Sequence, residues 1–469
     1  MKNSFILSLV AGLLFSLFLG APGSVYGISL PSFFSDHMVL QQRDSVRIWG
    51  WGKPFEKVTL TASWGGDTLE TVVGNQAYWE LRLNTPAAGG PYTITVKGYN
   101  EIQIQNVLIG EVWVCSGQSN MEWSARMGID SAAVEIARAN YPNIRFFSVI
   151  HRTAKAPQID LQGSWKVCSP ETMIDFSALA YFFARNLQAD LNVPIGLINS
   201  SWGGTPAEVW MPEEAITSDE VLSGAAQLMP EMSYSPREAG RVYNAMIAPL
   251  NGMKIAGVIW YQGETNTANP LTYQEMFSAL IQSWRAKWGY EFPFYYAQIA
   301  PFSYGNPTIG AIVRDAQRRA LEVPNTGMAV TSDIGNISDI HPTNKQEAAR
   351  RLANLALAGH YKTISRVVSG PLFQKMVVEK KEVRLFFQNA EGLHTPGGNM
   401  PSHFEVAGED KIFHPATARI EANTVVVFSP EVRSPVAVRF AWSNTAEPNL
   451  FNGAGWPESC FRTDRWALN

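Results

Sequence analysis

The first part of the chain is a series of short segments in which apolar and polar residues alternate. Residues 45–51 and 57–64 are two of these segments, and Gly and Pro interrupt the pattern between them. Successive side chains of a β-strand point to opposite faces, so this alternation is typical of strands with one buried face. Strands this short and this closely spaced favour an antiparallel arrangement, and we expect a β-sandwich-like domain over residues 28–106.

The pattern changes at Val107, where apolar runs begin to alternate with helical patterns. The apolar runs cover residues 107–115, 144–149, 195–199, 255–261, 294–299 and 327–332. Helical periodicity lies between them, at residues 131–139, 177–190, 273–288, 309–323 and 344–358. Alternating strands and helices predict a parallel sheet flanked by helices, and we expect an α/β domain over residues 107–365.

Two further segments are interpreted from their composition and pattern. Residues 211–241 are rich in Glu, Ser, Met and Pro, which predicts an insertion in the α/β domain or a lid on it. Alternation of apolar and polar residues returns after residue 365 and predicts a C-terminal β region over residues 366–469. The pattern leaves open whether this region folds separately or pairs with the N-terminal strands. The predicted fold class is therefore α/β, with additional antiparallel β regions on both sides.

The N-terminus has the features of an export signal. Lys2 supplies a positive charge, residues 5–19 are almost entirely apolar, and small residues follow up to Gly27. The apolar run is shorter than the roughly 20 residues that a membrane-spanning helix needs. We therefore predict a signal peptide over residues 1–27, export to a periplasm or the extracellular space, and no membrane span after cleavage. An uncleaved anchor is the alternative.

Charge and cysteine content exclude several classes of protein. The 469 residues include 37 Lys and Arg against 41 Asp and Glu, a formal net charge of −4, and contain no basic run. Nucleic-acid binding needs a basic surface that displaces counterions, so we expect no nucleic-acid partner. The three cysteines contain no C-x-x-C pair, and the seven histidines show no metal-ligand spacing. We therefore expect no disulfide scaffold, no metal and no cofactor.

Chemically useful residues follow four of the predicted strands. They are Ser119 after the first strand of the α/β part, Gly203 and Gly204 after the third, Gln262 after the fourth, and Asp333, Asp339 and His341 after the sixth. Ligands of open parallel sheets bind outside the carboxyl ends of the strands, so we expect these residues to meet there. Together they supply a hydroxyl nucleophile, hydrogen-bond donors and a base with an acidic partner, which are the groups that acyl transfer needs. Each residue alone is more typical of a turn or a helix cap.

The residues around these positions form the motifs of a known family. The motifs are Ser-Gly-Gln-Ser-Asn-Met-Glu at 116–122, Trp-Tyr-Gln-Gly-Glu at 260–264 and Ile-His-Pro at 340–342. With them, the chain resembles the SGNH hydrolases, and in particular their sialate O-acetylesterase group. The resemblance extends over nearly the whole chain, because residues 243–250 and 449–452 also look like that group. It implies an SGNH-type parallel sheet flanked by helices, and an esterase activity.

The resemblance also implies roles for the matching residues. Ser119 is the expected nucleophile, and His341 is its expected general base. The backbone N–H groups of Ser119 and Gly204 are expected to bind the oxyanion, together with the side chain of Gln262, where many relatives have Asn. The signature differs from the Gly-x-Ser-x-Gly elbow of α/β-hydrolases, because Met121 occupies the place of the second Gly.

The sequence offers more than one group that could orient His341. Asp339 is the expected residue, and it stands two positions before His341. The wider superfamily places its Asp three positions before the His, where this chain has Ser338. Asp333 or a backbone carbonyl is the alternative, because the imidazole needs an acceptor at its other nitrogen and not one particular residue.

Four further residues are candidates for contact with the substrate or for support of the site. Glu264 follows Gln262 by two positions, Trp202 could stack on a sugar ring, and Arg314 and Gln317 begin a helix near the site. Structural roles are the alternatives, as core aromatic residues or as a solvated helix face. The resemblance implies the function of a carbohydrate O-acetylesterase acting on 9-O-acetylated sialic acid. The alternatives are an acetylesterase of xylan, xyloglucan or pectin, and a non-catalytic carbohydrate-binding protein.

Overall fold

The structure is a computed structural model that describes residues 27–468. The predicted signal peptide lies outside the described residues, apart from Gly27. Within the described range, no helix combines the length and the apolar character that crossing a membrane requires.

The described residues form 21 strands and nine α-helices. The strands are β1 (Val39–Gln41), β2 (Ser45–Trp51), β3 (Lys57–Ala62), β4 (Thr68–Val72), β5 (Tyr78–Asn84), β6 (Gly89–Lys97), β7 (Glu101–Gly117), β8 (Tyr141–Ser148), β9 (Trp165–Cys168), β10 (Ile195–Ser201), β11 (Gly257–Tyr261), β12 (Phe294–Ala297), β13 (Thr326–Ala329), β14 (Leu372–Glu379), β15 (Glu382–Gln388), β16 (Phe404–Ala407), β17 (Phe413–Pro415), β18 (Thr417–Glu421), β19 (Thr424–Phe428), β20 (Ala437–Phe440) and β21 (Phe461–Arg462). The helices are α1 (Ser119–Glu122), α2 (Ala132–Ala137), α3 (Pro170–Met173), α4 (Ala178–Leu191), α5 (Glu213–Thr217), α6 (Glu220–Gln227), α7 (Tyr273–Trp288), α8 (Ile309–Arg319) and α9 (Lys345–Gly359).

A mostly parallel sheet forms the centre of the molecule. Its strands follow the order β13-β12-β11-β7-β10-β8-β9. All neighbours from β13 to β8 are parallel, and the edge strand β9 is antiparallel to β8. Each of the six apolar runs predicted for the α/β part overlaps one of the six parallel strands. The prediction of a mixed α/β fold with a parallel sheet is therefore confirmed.

The central strands are mostly apolar because helices cover both faces of the sheet. Consecutive residues of β7 enter different core clusters: Trp113 packs on the side of α4 and α9, and Val114 packs on the side of α7. All five residues of β11 are buried. Burial on both faces is typical of parallel sheets, and it explains runs that show no alternation of apolar and polar residues.

Strand β7 joins the N-terminal β region to the central sheet. Its first residues pair antiparallel with β6, whereas its last residues lie between β10 and β11. The remaining N-terminal strands pair among themselves or with β7, and β2 and β5 form a separate antiparallel pair. The predicted domain boundary between residues 106 and 107 therefore falls inside one continuous strand, and the division of the chain into domains stays a prediction.

The C-terminal β region forms two four-stranded antiparallel sheets, β14-β15-β19-β18 and β17-β16-β20-β21. Each sheet consists of strands from this region alone, so the described strands do not pair with the N-terminal ones. Its hydrophobic core also contains Ala311 and Ile312 of α8. This region is thereby packed directly on the α/β part of the chain.

The segment 211–241 contains two short helices, α5 and α6, followed by a loop. The loop lies against the carboxyl end of the central sheet, because the hydroxyl of Ser235 donates a hydrogen bond to the carbonyl of Gly204 at 2.9 Å. The ring of Tyr234 packs on the same glycine. The interpretation of this segment as an insertion or a lid stays a prediction.

Candidate active site

Ser119 and His341 meet at the edge of the sheet where the parallel strands end. Ser119 lies two residues after the end of β7 and begins α1, and His341 lies in the loop between β13 and α9. The Nε2 atom of His341 is 3.0 Å from the Oγ atom of Ser119, which is a hydrogen-bond distance. The structure thus brings together the hydroxyl and the imidazole that the sequence analysis paired.

The turn after β7 depends on a glycine. Gly117 has a φ of +136°, and a Cβ atom there would lie 2.2 Å from the carbonyl oxygen of Tyr261 in the neighbouring strand β11. A glycine avoids this clash where the chain leaves the sheet. Gln118 holds the turn from the other side, since its Oε1 atom accepts hydrogen bonds at 3.3 Å from the N–H groups of Gly263 and Thr265.

Ser119 and His341 line a cavity of about 670 Å³, a volume typical of sites for small ligands. Gly204 and Glu264 line the same cavity. Apolar and aromatic side chains form most of the remaining wall: Trp123, Met127, Met232, Tyr234, Tyr304, Ile309 and Ile340. A wall of this kind favours the carbon atoms of a small ligand, while the polar groups at its base are available for chemistry.

The imidazole of His341 stacks on an aromatic ring and lies within the influence of a buried cation. The ring of Trp123 stacks on it with a centroid distance of 4.0 Å and an angle of 20°. Burial lowers the pKa of His341 below its usual value, and the charge of Lys345 lowers it further, while Asp339 opposes the shift. The neutral imidazole, which is the form that accepts a proton, is therefore favoured.

The two candidate carboxylates differ in their positions. The Oδ1 atom of Asp339 lies 3.6 Å from Nδ1 of His341, too far for a normal hydrogen bond, and it accepts the backbone N–H of His341 at 2.9 Å. The Asp339 side chain is 52% exposed. Asp333 instead forms a two-pronged ion pair with Arg351, with both N–O distances at 2.6 Å. Of the two, Asp339 is therefore the carboxylate near the imidazole.

The Gly203-Gly204 pair lies against Ser119. A Cβ atom on Gly203 would be 3.5 Å from the Cβ atom of Ser119, and Gly204 has a φ of +73°, which favours glycine. The N–H of Gly203 donates to the carboxylate of Glu122 at 2.6 Å. This bond anchors the turn to α1, and it occupies the N–H of Gly203, so the N–H of Gly204 is the expected oxyanion donor of the pair.

The position of Gln262 differs from the sequence expectation. The side chain is completely buried, and its Nε2 atom donates to the carbonyl of Thr205 at 3.3 Å and to Oδ1 of Asn266 at 2.7 Å. Its Oε1 atom accepts from the hydroxyl of Tyr273 at 2.8 Å. An amide nitrogen carries two protons, and both are used here. We therefore correct the expectation: in this structure Gln262 holds neighbouring loops together and has no donor left for an oxyanion.

Arg314 and Gln317 also have structural positions. Arg314 is 1% exposed and donates to the backbone carbonyls of Ser443 and Asn444 in the C-terminal region. Gln317 is fully buried, and it accepts from the N–H of Ile299 and donates to the carbonyl of Gln262. Neither residue lines the Ser119 cavity, so the structure does not show the substrate contact considered for them. The bond from Gln317 to the carbonyl of Gln262 agrees with the alternative of support for the site.

Trp202 and Glu264 lie nearer to the predicted chemistry. Trp202 directly precedes the Gly203-Gly204 pair, and its ring stacks on His151 with a centroid distance of 4.4 Å. Glu264 lines the Ser119 cavity and belongs to a buried polar network below it. The position of Glu264 agrees with the supporting role considered for it, whereas sugar stacking by Trp202 stays a prediction.

The buried network below the cavity was not anticipated from the sequence. Lys345 donates to Oδ1 of Asn120 at 2.6 Å, and the Nδ2 atom of Asn120 donates to Glu264 at 2.6 Å and to the carbonyl of Ile340 at 3.0 Å. All three polar side chains are buried. Burial lowers the pKa of Lys345 to about 7 and raises the pKa of Glu264. The network fixes the backbone directly before His341, because Ile340 is the preceding residue.

Asn120 and Lys345 carried little signal in the sequence. Asn120 stands next to Ser119 in the motif, but nothing in the motif states that its side chain points away from the cavity. Lys345 is a charged residue in the first turn of α9, where a lysine is typically solvated. Its burial follows from the tertiary fold, which seats it against the rings of Trp123 and Tyr261.

Comparison with known proteins identifies the family. Residues 109–358 match the family model described as carbohydrate esterase, sialic acid-specific acetylesterase. The chain belongs to this family. As an acetylesterase it is an enzyme, so the predicted ester hydrolase activity is confirmed, and the alternative of a non-catalytic carbohydrate-binding protein is not supported.

Individual relatives of this acetylesterase cover most of its length. It is 32% identical to the sialate O-acetylesterase of Rattus norvegicus over 426 residues, which cover 76% of this chain and 77% of the rat protein. It is 31% identical to the sialate O-acetylesterase of Homo sapiens over 437 residues, which cover 81% of this chain and 83% of the human protein. A carbohydrate acetylesterase from Xanthomonas citri has a similar solved structure, with a TM-score of 0.86 and 37% identity, covering 94% of this chain and all of that one.

Proposed function

We propose that this acetylesterase removes O-acetyl groups from sialic acid, in particular the 9-O-acetyl ester, through an acyl-enzyme on Ser119. The observation that carries the mechanism is the 3.0 Å contact between Ser119 Oγ and His341 Nε2, in a cavity that Gly204 also lines. Relatives named as sialate O-acetylesterases support the choice of sugar.

In the first half of the reaction, Ser119 Oγ attacks the carbonyl carbon of the acetyl ester and His341 Nε2 takes the hydroxyl proton. The neutral imidazole is the required form, and the lowered pKa of His341 favours it. Negative charge then develops on the carbonyl oxygen, and the N–H groups of Ser119 and Gly204 stabilise it. The carbon–oxygen bond to the sugar breaks, the sugar oxygen takes the proton from His341, and acetyl-Ser119 remains.

In the second half, a water molecule takes the place of the sugar. His341 removes one proton from this water, and the resulting oxygen attacks the carbonyl carbon of acetyl-Ser119. The second tetrahedral intermediate uses the same N–H donors. When it collapses, the bond to Ser119 Oγ breaks, His341 returns the proton to that oxygen, and acetic acid leaves and loses its remaining proton to the solvent.

An acetylesterase acting on plant polysaccharides is the second candidate. One observation favours it: the solved structure with 37% identity is that of a protein described as a carbohydrate acetylesterase, a broader description than that of the mammalian relatives. The chemistry at Ser119 is the same for both candidates, so the difference between them lies in the sugar.

Acetate release from a panel of acetylated glycans tests the proposed substrate. We expect the highest kcat/KM on 9-O-acetylated sialic acid, with lower values on acetylated xylan, xyloglucan and pectin. The measurement is enzymatic detection of acetate under identical conditions. A preference for one of the plant polysaccharides would replace the proposed substrate by the second candidate.

The geometry around His341 predicts a moderate effect for Asp339→Asn. A buried carboxylate that orients a catalytic histidine contributes on the order of 10⁴ in kcat. Asp339 is half-exposed and 3.6 Å from Nδ1, so we expect a smaller loss in kcat, about 10- to 100-fold. Asn keeps an oxygen that can accept the backbone N–H of His341, so the turn is preserved.

Asp333→Asn is the matched control for this measurement. It weakens the ion pair with the buried Arg351, so we expect a loss of stability on the order of 1–3 kcal/mol. Its kcat should stay within about threefold of the wild-type value, well inside the tenfold that corresponds to about 1.4 kcal/mol of barrier. A larger loss of kcat in Asp333→Asn than in Asp339→Asn would contradict the assignment of Asp339.

A further inference from the structure

A second cavity adjoins the Ser119 cavity and shares part of its lining with it. Its volume is about 620 Å³, and Met232 and Tyr234 line both cavities. Trp202, Lys155 and Arg237 line the second cavity only. A ligand with its ester at Ser119 therefore has a neighbouring space in which the rest of the molecule can bind.

Arg237 is the unusual residue of this second cavity. It is 7% exposed, and none of its three guanidinium nitrogens has a hydrogen-bond partner among the described residues. Three other buried arginines have hydrogen-bond partners: Arg145 and Arg314 bond to backbone carbonyls, and Arg351 pairs with two carboxylates. A buried cation without a partner is costly, so its presence beside a cavity points to a ligand that supplies the partner.

The acidic residues near Arg237 are either committed elsewhere or out of contact. Glu208 accepts hydrogen bonds from Asn266 and Asn269, and Glu238 pairs with Arg241. Burial lowers the pKa of Arg237, and Tyr234, Glu208 and Glu231 oppose this shift through space. No carboxylate of the described residues bonds to it.

We infer that Arg237 binds the carboxylate of an acidic sugar whose acetyl ester lies at Ser119, and so determines the specificity of the enzyme for acidic substrates. This inference rests on the proposed function and adds to it the recognition of the acid group. The planar guanidinium matches a carboxylate with two parallel hydrogen bonds, which a lysine ammonium does not reproduce. Neutral acetylated polysaccharides offer hydroxyl and carbonyl oxygens but no negative charge to pair with this cation.

Trp202 lies between this second cavity and the Gly203-Gly204 turn, where the oxyanion is expected to bind. Its ring lines the cavity and is held by the stack on His151, whose Nε2 atom lies 3.1 Å from the carboxylate of Glu122. The same carboxylate accepts the N–H of Gly203. An aromatic face beside a guanidinium suits a sugar acid, because the ring carbons pack on the indole while the carboxylate reaches the cation.

The test compares the wild type, Arg237→Met and Arg237→Lys on two forms of one substrate. One form is 9-O-acetylated sialic acid with a free carboxylate, and the other is its methyl ester, in which the charge is removed. We expect the ratio of kcat/KM for the acid to that for the methyl ester to fall roughly tenfold or more in Arg237→Met, mainly through KM. Arg237→Lys should restore part of this ratio, because it returns the charge without the planar geometry.

Arg241→Met is the matched control, because Arg241 lines the same cavity but already has Glu238 as its partner. For Arg241→Met, we expect the same ratio of kcat/KM for the acid to kcat/KM for the methyl ester as for the wild type. An Arg237→Met variant that loses activity on both forms equally would show a structural role for Arg237 and overturn the inference. Equal cleavage of both forms by the wild-type enzyme would overturn it as well, and in that case the proposed function still stands. If wild-type enzyme cleaves neither form but cleaves a neutral glycan, the proposed function and the inference fail together.

Discussion

Ser119→Ala is expected to abolish acetate release, with a loss in kcat of roughly 10⁴ to 10⁶. The variant removes the oxygen that forms the acyl-enzyme, and no other hydroxyl among the residues that line the cavity lies within bonding distance of His341 Nε2. The backbone N–H of residue 119 remains, so oxyanion binding alone accounts for any residual rate. Detection of acetate at high enzyme concentration measures a loss of this size.

Ser116→Ala is the matched control for this prediction. It removes the same hydroxyl group three residues earlier in the motif, where Oγ donates to the carbonyl of Ser200 at 2.6 Å inside the sheet. We expect nearly unchanged kcat and a loss of stability on the order of 1–3 kcal/mol, because a buried carbonyl loses a donor. An equal loss of activity in both variants, or substantial activity in Ser119→Ala, would contradict the assignment of Ser119.

The sequence was a good guide to the fold where burial decides the pattern. Strands such as β11 are buried on both faces, so they appear as continuous apolar runs, and all six runs of this kind belong to the parallel sheet. The sequence was a poor guide to the border at residue 106, because β7 changes its environment halfway along its length. Its first half is partly exposed and its second half is fully buried, so the change of pattern marked a change of partners and not the end of a strand.

For the candidate site, the sequence indicated where residues lie but not where their side chains point. Strand ends in a parallel sheet lie at one edge whatever their side chains do, which is why Ser119 and His341 could be placed together. The direction of a side chain depends on its neighbours, and Gln262 turns toward Asn266 and Tyr273, both of which lie beyond the motif. Contacts of this kind depend on the packing of loops, so the pattern of apolar and polar residues along the chain does not predict them.

His341→Ala is the second variant with a large expected effect, a loss in kcat of about 10⁴ or more, because Ser119 then has no base. In the wild type, kcat/KM should rise with pH as His341 loses its proton and level off above its pKa. Burial and the charge of Lys345 lower this pKa below the usual 6.5, so the acid limb should lie below pH 6.5. A pH profile of kcat/KM measures it, and a limb clearly above pH 6.5 would contradict the environment described for His341.

Lys345→Met separates the two causes of this lowered pKa. Burial raises the free energy of the protonated imidazole in both proteins, whereas the repulsion from Lys345 exists only in the wild type. Because the pKa of Lys345 is about 7, its ammonium is mostly charged at the pH where His341 titrates. We therefore expect the acid limb of kcat/KM to move to higher pH in Lys345→Met, and kcat on the plateau to fall as Asn120 loses the partner that helps hold Ile340. If kcat on the plateau falls but the acid limb of kcat/KM stays at the same pH, Lys345 positions the loop that carries His341 without affecting the pKa of His341.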